Sequence, residues 1–288
     1  MSSAQSNQNL MDSRRQQLLE QQQTLRLRMG KIKHKIAVIS GKGGVGKSTV
    51  TVNLAAALAK TGREVGVLDA DIHGPSVPRL LGLKGQQAKV GPPGVFPVLG
   101  PLNIKIVSMD FFLPQESTPT IWRGPLKMRA ISQMLTDTVW GQLDILLIDL
   151  PPGTGDEVLS IAQLLPDIDG VVIVTLPSEL SRSVVSKAVA FAETMGLPII
   201  GVVENMSGYV CPYCGEKVEI FQSGGGKKLA DEAGIPYLGG IPIDPKIGVA
   251  TDKGTPFVLE NPDIPATKAF LEIVEKVEAY LQKESTNK

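Results

Sequence analysis

The apolar run Ile36-Ala37-Val38-Ile39-Ser40 breaks into Gly41-Lys42-Gly43-Gly44-Val45-Gly46-Lys47-Ser48-Thr49, and Thr49 to Lys60 then reads as a helix closed by Gly62. Four glycines in six positions (41–46) suit neither a helix interior nor a strand interior, so the chain must turn here. Residues 41–48 fit G-x-x-x-x-G-K-[ST] in the setting that pattern requires, after a strand and at the opening of a helix. The chemistry explains the spacing. Glycines let backbone N–H groups curl around phosphates with no Cβ in the way, and the helix N-terminus adds partial positive charge. Lys47 is placed to reach the β- and γ-phosphates of ATP. Ser48 offers a hydroxyl to Mg²⁺, which prefers oxygen ligands.

Further short apolar runs follow at Glu64 to Asp69, Ile104 to Met109, Asp144 to Leu150, Val171 to Leu176 and Ile199 to Glu204. They are continuous rather than alternating, as expected of strands covered on both faces. Helical stretches at Leu126 to Val139, Ser181 to Met195, 224–233 and Pro265 to Lys283 separate or follow them, and Gly82 to Gly100 is an irregular Gly/Pro-dense excursion. The expected fold class is α/β: a doubly wound, mostly parallel sheet flanked by helices. We expect residues 1–30 to form a polar extension, partly helical or disordered, and 31–288 to form a single domain with a Cys-x-x-Cys insertion near 205–222. Lys+Arg and Asp+Glu both number 29, so no bulk charge points to nucleic acid or an anionic membrane. From a polar start with no secretory pattern and the lack of a bilayer-length apolar run we expect a cytoplasmic chain.

Leu146-Leu147-Ile148-Asp149 ends an apolar strand in a carboxylate, the Walker B pattern, with Asp149 near Mg²⁺. Leu68-Asp69-Ala70-Asp71 ends a second strand at the same rim, and Asp69 is a further candidate for the Mg²⁺ shell. The loop carries an additional lysine, Lys42, directly after its first glycine. In this it resembles the deviant Walker A loop of the family containing Min-type and Par-type ATPases and the nitrogenase iron protein. The resemblance implies that Lys42 reaches the nucleotide of a partner in a dimer, where a cation lowers the barrier as charge develops on the phosphoryl oxygens. It implies that Asp71 positions the attacking water, that Pro151-Pro152-Gly153-Thr154-Gly155-Asp156 is a second switch, and that Asn205 reads the adenine edge. The loop Ile241-Pro242-Ile243-Asp244-Pro245 resembles the segment beside the base, which brings in Pro242 and Asp244. Plainer roles compete: a turn or cap for Asp71, a strand-end turn for Asn205.

Cys211-Pro212-Tyr213-Cys214 holds both cysteines of the chain. A glutaredoxin-type redox pair wants the first thiol at a helix start, and Gly215 onward does not begin a convincing helix. Zinc and [4Fe–4S] clusters want about four ligands. Two chains about a two-fold axis supply four thiolates, so the arithmetic points to a metal centre shared across a dimer. An inert pair is the third possibility. His34 and His73 are distant in sequence and read as a solvated and a loop-shaping residue.

With these residues assembled, the chain resembles the Mrp/ApbC-type iron–sulfur cluster carrier ATPases. The resemblance spans about residues 33–280 and rests on Gly-Lys-Gly-Gly-Val-Gly-Lys-Ser at 41–48, Asp-Ile-His-Gly-Pro-Ser at 71–76, Trp-Arg-Gly-Pro at 122–125, Asp-Leu-Pro-Pro-Gly-Thr-Gly-Asp at 149–156, Glu-Asn-Met-Ser at 204–207 and Cys-Pro-Tyr-Cys at 211–214. It implies a homodimer that hydrolyses ATP slowly, binds a [4Fe–4S] cluster between its chains through Cys211 and Cys214, and passes it to apo-proteins, with no nucleic acid or membrane partner. Two rival functions use the same residues: a Min/Par-type positioning ATPase, which wants a basic amphipathic C-terminal helix or basic patch, and a zinc-bridged dimeric ATPase. Thr267 to Lys283 is amphipathic, but Glu272, Glu275 and Glu278 give it a mixed polar face, so we expect it to pack on the domain.

Overall fold

The computed structural model describes residues 2–112, 124–165, 167–211, 213–219 and 224–287. In chain order the elements are α1 (Ser2–Met29), β1 (Ile32–Ile39), α2 (Lys47–Lys60), β2 (Val65–Asp69), α3 (Val77–Leu80), β3 (Lys89–Gly91), β4 (Gly94–Phe96), β5 (Val98–Leu99), β6 (Lys105–Ser108), α4 (Gly124–Asp137), β7 (Leu143–Asp149), α5 (Asp156–Leu164), β8 (Gly170–Thr175), α6 (Glu179–Thr194), β9 (Ile199–Val210), β10 (Lys217–Val218), α7 (Gly225–Ala233), β11 (Tyr237–Ile243), α8 (Pro245–Lys253), α9 (Phe257–Glu260) and α10 (Pro265–Asn287).

Among the described residues one nine-stranded sheet runs in the order β10-β9-β8-β1-β7-β2-β6-β5, with β11 also paired to β9. Every pairing from β9 through β6 is parallel, as is β11 with β9; the short β10 and β5 pair antiparallel. The continuous apolar strands account for this. All six residues of β8 and all five of β2 are buried, which requires cover on both faces. One cover is formed by α2, α9 and α10, with Leu54, Leu58, Phe270 and Val277 against Ile36, Val38 and Leu147. The other is formed by α4 to α7, with Ile131, Ile161, Val185 and Leu229 against Ala37, Ile39, Leu146 and Ile148. Each of these Leu, Ile, Val and Phe side chains contributes roughly 1.5–3 kcal/mol on full burial.

Helix α10 gives its apolar stripe to the core: Ile273, Val274, Val277 and Leu281 are buried, and the Tyr280 hydroxyl donates to the Asp169 carbonyl at 3.1 Å. Among the described residues no helix is long and apolar enough to cross a membrane. At the other end, α1 runs into the body of the protein: Met29 is buried, and the Arg28 guanidinium donates to the carbonyls of Asp137 (3.0 Å) and Pro93 (2.7 Å).

Several elements differ from the sequence reading. Strand β9 does not stop at Glu204 but continues to Val210, because β11 pairs along its far half from Val202 to Tyr209. The segment 241–245 is the end of that unanticipated strand and the start of α8, not a loop. Part of the 82–100 excursion folds into a hairpin, β3 with β4, and into β5, which extends the sheet edge at β6.

Candidate nucleotide and cysteine sites

The parallel strands end at one rim, and the loops that leave them carry the candidate residues. Between β1 and α2 the chain turns through Gly44 (φ 77°) and Gly46 (φ 82°), both in the left-handed region that favours glycine. Gly46 is also the cap of α2, and a Cβ there would lie 2.2 Å from Asn205 Nδ2. No side chain therefore caps α2, whose first N–H groups have no partner within the helix. Gly41, Gly43 and Val45 complete the curve; the Ser40 hydroxyl donates to the Lys42 carbonyl at 3.0 Å. Lys42 is half-buried. Thr49, in the first turn of α2, lines the neighbouring cavity.

Asp149, fully buried at the end of β7, is the centre of the site. Its Oδ2 meets Lys47 Nζ at 2.8 Å and accepts from the Ser48 hydroxyl at 2.5 Å; its Oδ1 accepts from the Thr51 hydroxyl at 2.7 Å. Thr51 was not singled out from sequence, although it lies four residues after Lys47 and so on the same helix face. Asp69 sits opposite Asp149 in the β2–β7 register. Burial first, and then the Asp149 charge, push its carboxyl up to about 8, against the pull of Lys47. It accepts from the N–H groups of Asp71 and Val77 (both 3.2 Å) and from the Ser108 hydroxyl (3.1 Å), so it pins the loop after β2. Asp71 is half-buried and accepts from Gly74 N–H at 3.2 Å, closing the turn that carries His73. The segment after β7 is tied to the same rim, since Gly153 N–H donates to the Ser40 carbonyl at 2.8 Å. A hydroxyl and two carboxylates converging beside a lysine are hard oxygen donors of the kind Mg²⁺ takes. Trp122, Arg123 and Pro212 lie outside the described residues.

Asn205 joins the phosphate loop to the rest: its Nδ2 donates to the Val45 carbonyl at 2.9 Å. It also lines a cavity of about 480 Å³ with Thr49, Met206, Pro242, Asp244 and Phe257. That volume and apolar lining suit a planar base. Asp244 is at the same time the N-cap of α8, accepting from Lys246 N–H at 2.9 Å. Met206 takes φ 58°, an uncommon left-handed conformation for this side chain, next to the residue that touches the loop.

The neighbouring Glu204 turns to the other face. It is fully buried and accepts from the Ser207 hydroxyl and from the N–H groups of Gly224 (3.2 Å) and Gly226, anchoring the start of α7. Strand β9 then delivers the chain to Cys211. The hairpin with β10 is closed by Cys211 N–H to the Glu216 carbonyl and Gly215 N–H to the Cys211 carbonyl, both 2.9 Å. Cys214 is exposed and Cys211 partly so. The N–H groups of Cys214 and then Tyr213, with the Cys214 thiol, hold the Cys211 thiol below its ordinary range. A second cavity, about 600 Å³, opens beside Cys211, and Asp244 and Pro245 form part of its wall as well.

A family model described as the NUBPL iron-transfer P-loop NTPase of the ParA group matches residues 31–278. Curated relatives named iron-sulfur cluster carrier protein are 55% identical in Saccharolobus solfataricus, over 88% of this chain and 86% of that one. The relative of that name in Methanocaldococcus jannaschii is also 55% identical, over 90% and 89%. Among solved structures, a nucleotide-binding protein from Archaeoglobus fulgidus in complex with ADP aligns with TM-score 0.76 at 41% identity, covering 87% of this chain and 96% of that one. The cell division ATPase MinD of Pyrococcus furiosus aligns with TM-score 0.62 at 25% identity, over 86% and 99%. With a glycine-turned strand-loop-helix, a buried aspartate holding its lysine and serine, and these relatives, the chain belongs to the iron-transfer P-loop NTPase family.

Proposed function

We propose that this protein is a cytoplasmic, homodimeric ATPase that carries a [4Fe–4S] cluster between its two chains and passes it to apo-proteins. The observation that carries this reading is the Cys211–Cys214 hairpin. Cys214 is exposed and Cys211 partly so just beyond β9, and the chain holds no other cysteine, so four thiolates require two chains. The names borne by the relatives from Saccharolobus solfataricus and Methanocaldococcus jannaschii support it.

In this reading the loop 41–49 receives the phosphates of ATP on its N–H groups, and Lys47 moves from Asp149 to the β- and γ-phosphoryl oxygens. Ser48 and Asp149, with Asp69 beside them, would hold Mg²⁺, which would supply positive charge to neutralise the phosphates. Asn205, Pro242 and Asp244 receive the base. Asp71 orients the attacking water, and Lys42 of one protomer reaches the other protomer's γ-phosphate, making slow hydrolysis depend on the dimer. Because β9 carries Asn205 and leads directly into Cys211, and Asp244–Pro245 walls both cavities, nucleotide state and cluster affinity are coupled, and the coupling is reciprocal.

Metal analysis of anaerobically purified protein is the direct test. We expect about four irons per dimer with matching sulfide; zinc in place of iron would favour the zinc-bridged alternative. Cys211→Ala is expected to abolish cluster binding, and full iron content in that variant would sink the proposal.

A further inference from the structure

We infer that Tyr213 is the docking side chain of the dimer, seated in the cavity beside Cys211 of a second copy of this chain. The inference rests on the shared four-thiolate reading. Tyr213 is 98% exposed at the tip of the hairpin, where the two turn hydrogen bonds at Cys211 and Gly215 hold its backbone. A tyrosine so placed contributes no burial to its own chain, yet its ring buries about 150–250 Å² when it meets a pocket.

The 600 Å³ cavity has the chemistry for that ring. Pro245, Ile264 and Pro265 give apolar walls, Lys246 supplies a cation for the ring face, and the Asp244 and Asp263 carboxylates offer acceptors to the phenol O–H. Tyr213 is not among the residues that line the cavity of its own chain. Cys211 is, so whatever brings two cysteine hairpins around one cluster also brings each Tyr213, adjacent to Cys214, to the mouth of the other chain's cavity. The contact is isologous, each ring entering the opposite cavity, as a two-fold dimer demands. It also gives the nucleotide a mechanical handle on the interface. The Asp244–Pro245 wall against which the base packs is the wall against which the partner's ring would pack.

The test places the photoreactive residue benzoylphenylalanine at position 213 of the full chain. Ordinary and ¹⁵N-labelled chains are mixed, loaded with iron and sulfide anaerobically, and irradiated. The expected products are mixed-isotope cross-links to residues 244–246 or 263–265. Cross-links within one chain, cross-links elsewhere, or none would overturn the docking. In parallel, Tyr213→Ala and Tyr213→Glu are expected to weaken the dimer by at least about tenfold in sedimentation, as loss of a buried aromatic anchor does, with Tyr213→Phe close to wild type; unchanged dimerisation in the alanine variant would reject the idea. The Cys211→Ala variant keeps the two claims apart. Retained iron there defeats the cluster reading, whereas lost iron there with no cross-chain product at 213 defeats only the docking.

Discussion

Asp149 shows what single residues do in this site. Its two oxygens take a lysine, a serine and a threonine, and all three donors come from the first two turns of one helix. Lys47, Ser48 and Asp149 were legible because each belongs to a pattern whose spacing the phosphate chemistry fixes. Thr51 and Ser108 were not, since a hydroxyl inside an apolar helix or strand has no pattern until its partner carboxylate is located. Thr51 is fully buried, and its hydroxyl oxygen also lies 3.1 Å from the Lys47 carbonyl. Thr51→Val keeps the shape and leaves one Asp149 oxygen without its donor, so urea unfolding should show a loss of about 1–3 kcal/mol. At the opposite rim, Asp144 accepts from Lys33 Nζ at 2.6 Å and from Glu64 N–H at 2.9 Å, and these bonds, the lysine's first, hold its pKa below the ordinary value. A carboxylate depressed on folding adds stability above its unfolded pKa, and that stability is lost as pH falls through the folded value. Wild type should therefore exceed Asp144→Asn in stability near neutrality, with the gap closing below about pH 4. Chemical denaturation across that range checks the sign; the effect is small because Lys33 is largely exposed.

The elements named by apolar runs, β1, β2, β6, β7 and β8, fall within a few residues of their sequence reading, because a parallel strand buried on both faces writes itself as unbroken hydrophobicity. Strand β11 does not: Tyr237-Leu238-Gly239-Gly240-Ile241-Pro242-Ile243 is interrupted by two glycines and a proline, and pairing with β9 makes it a strand. Gly239 (φ 154°) explains one glycine there, as a Cβ would fall 2.9 Å from Ile273 on α10. The length of β9 was likewise hidden, since Asn205-Met206-Ser207-Gly208 carries no strand preference. Helix α8 depends on its cap. Asp244→Ala removes the acceptor for Lys246 N–H and should cost about 0.5–2 kcal/mol. Because the same residue walls both cavities, the variant is expected to raise KM for ATP and to speed cluster loss to a chelator. A variant that changes stability alone would reduce Asp244 to a helix cap.

At the scale of the molecule, the proposed dimer would complete two sites with the same partner. Lys42 stands at a rim whose Asp149 already pairs with Lys47 of its own chain, and each hairpin carries half the thiolates a cubane needs. If Lys42 acts across the dimer, the two loop lysines belong to different protomers at each reacting phosphate. That arrangement makes a prediction that no self-contained ATPase shares. Lys47→Ala and Lys42→Ala are each expected to lower turnover by roughly 10²–10³-fold or more, through loss of a charge that stabilises the transition state. Equal mixing of the two variants should then restore activity. Half of the resulting dimers are mixed, and each mixed dimer holds one complete site: the Lys42→Ala chain supplies Lys47, and its partner supplies Lys42. Turnover should return to about a quarter of wild type at concentrations above the dimer constant, and it should fall on dilution. Lysines acting within one chain would leave the mixture as inactive as its parts, so the phosphate release rate of the mixture decides whether the loop is half of a composite site.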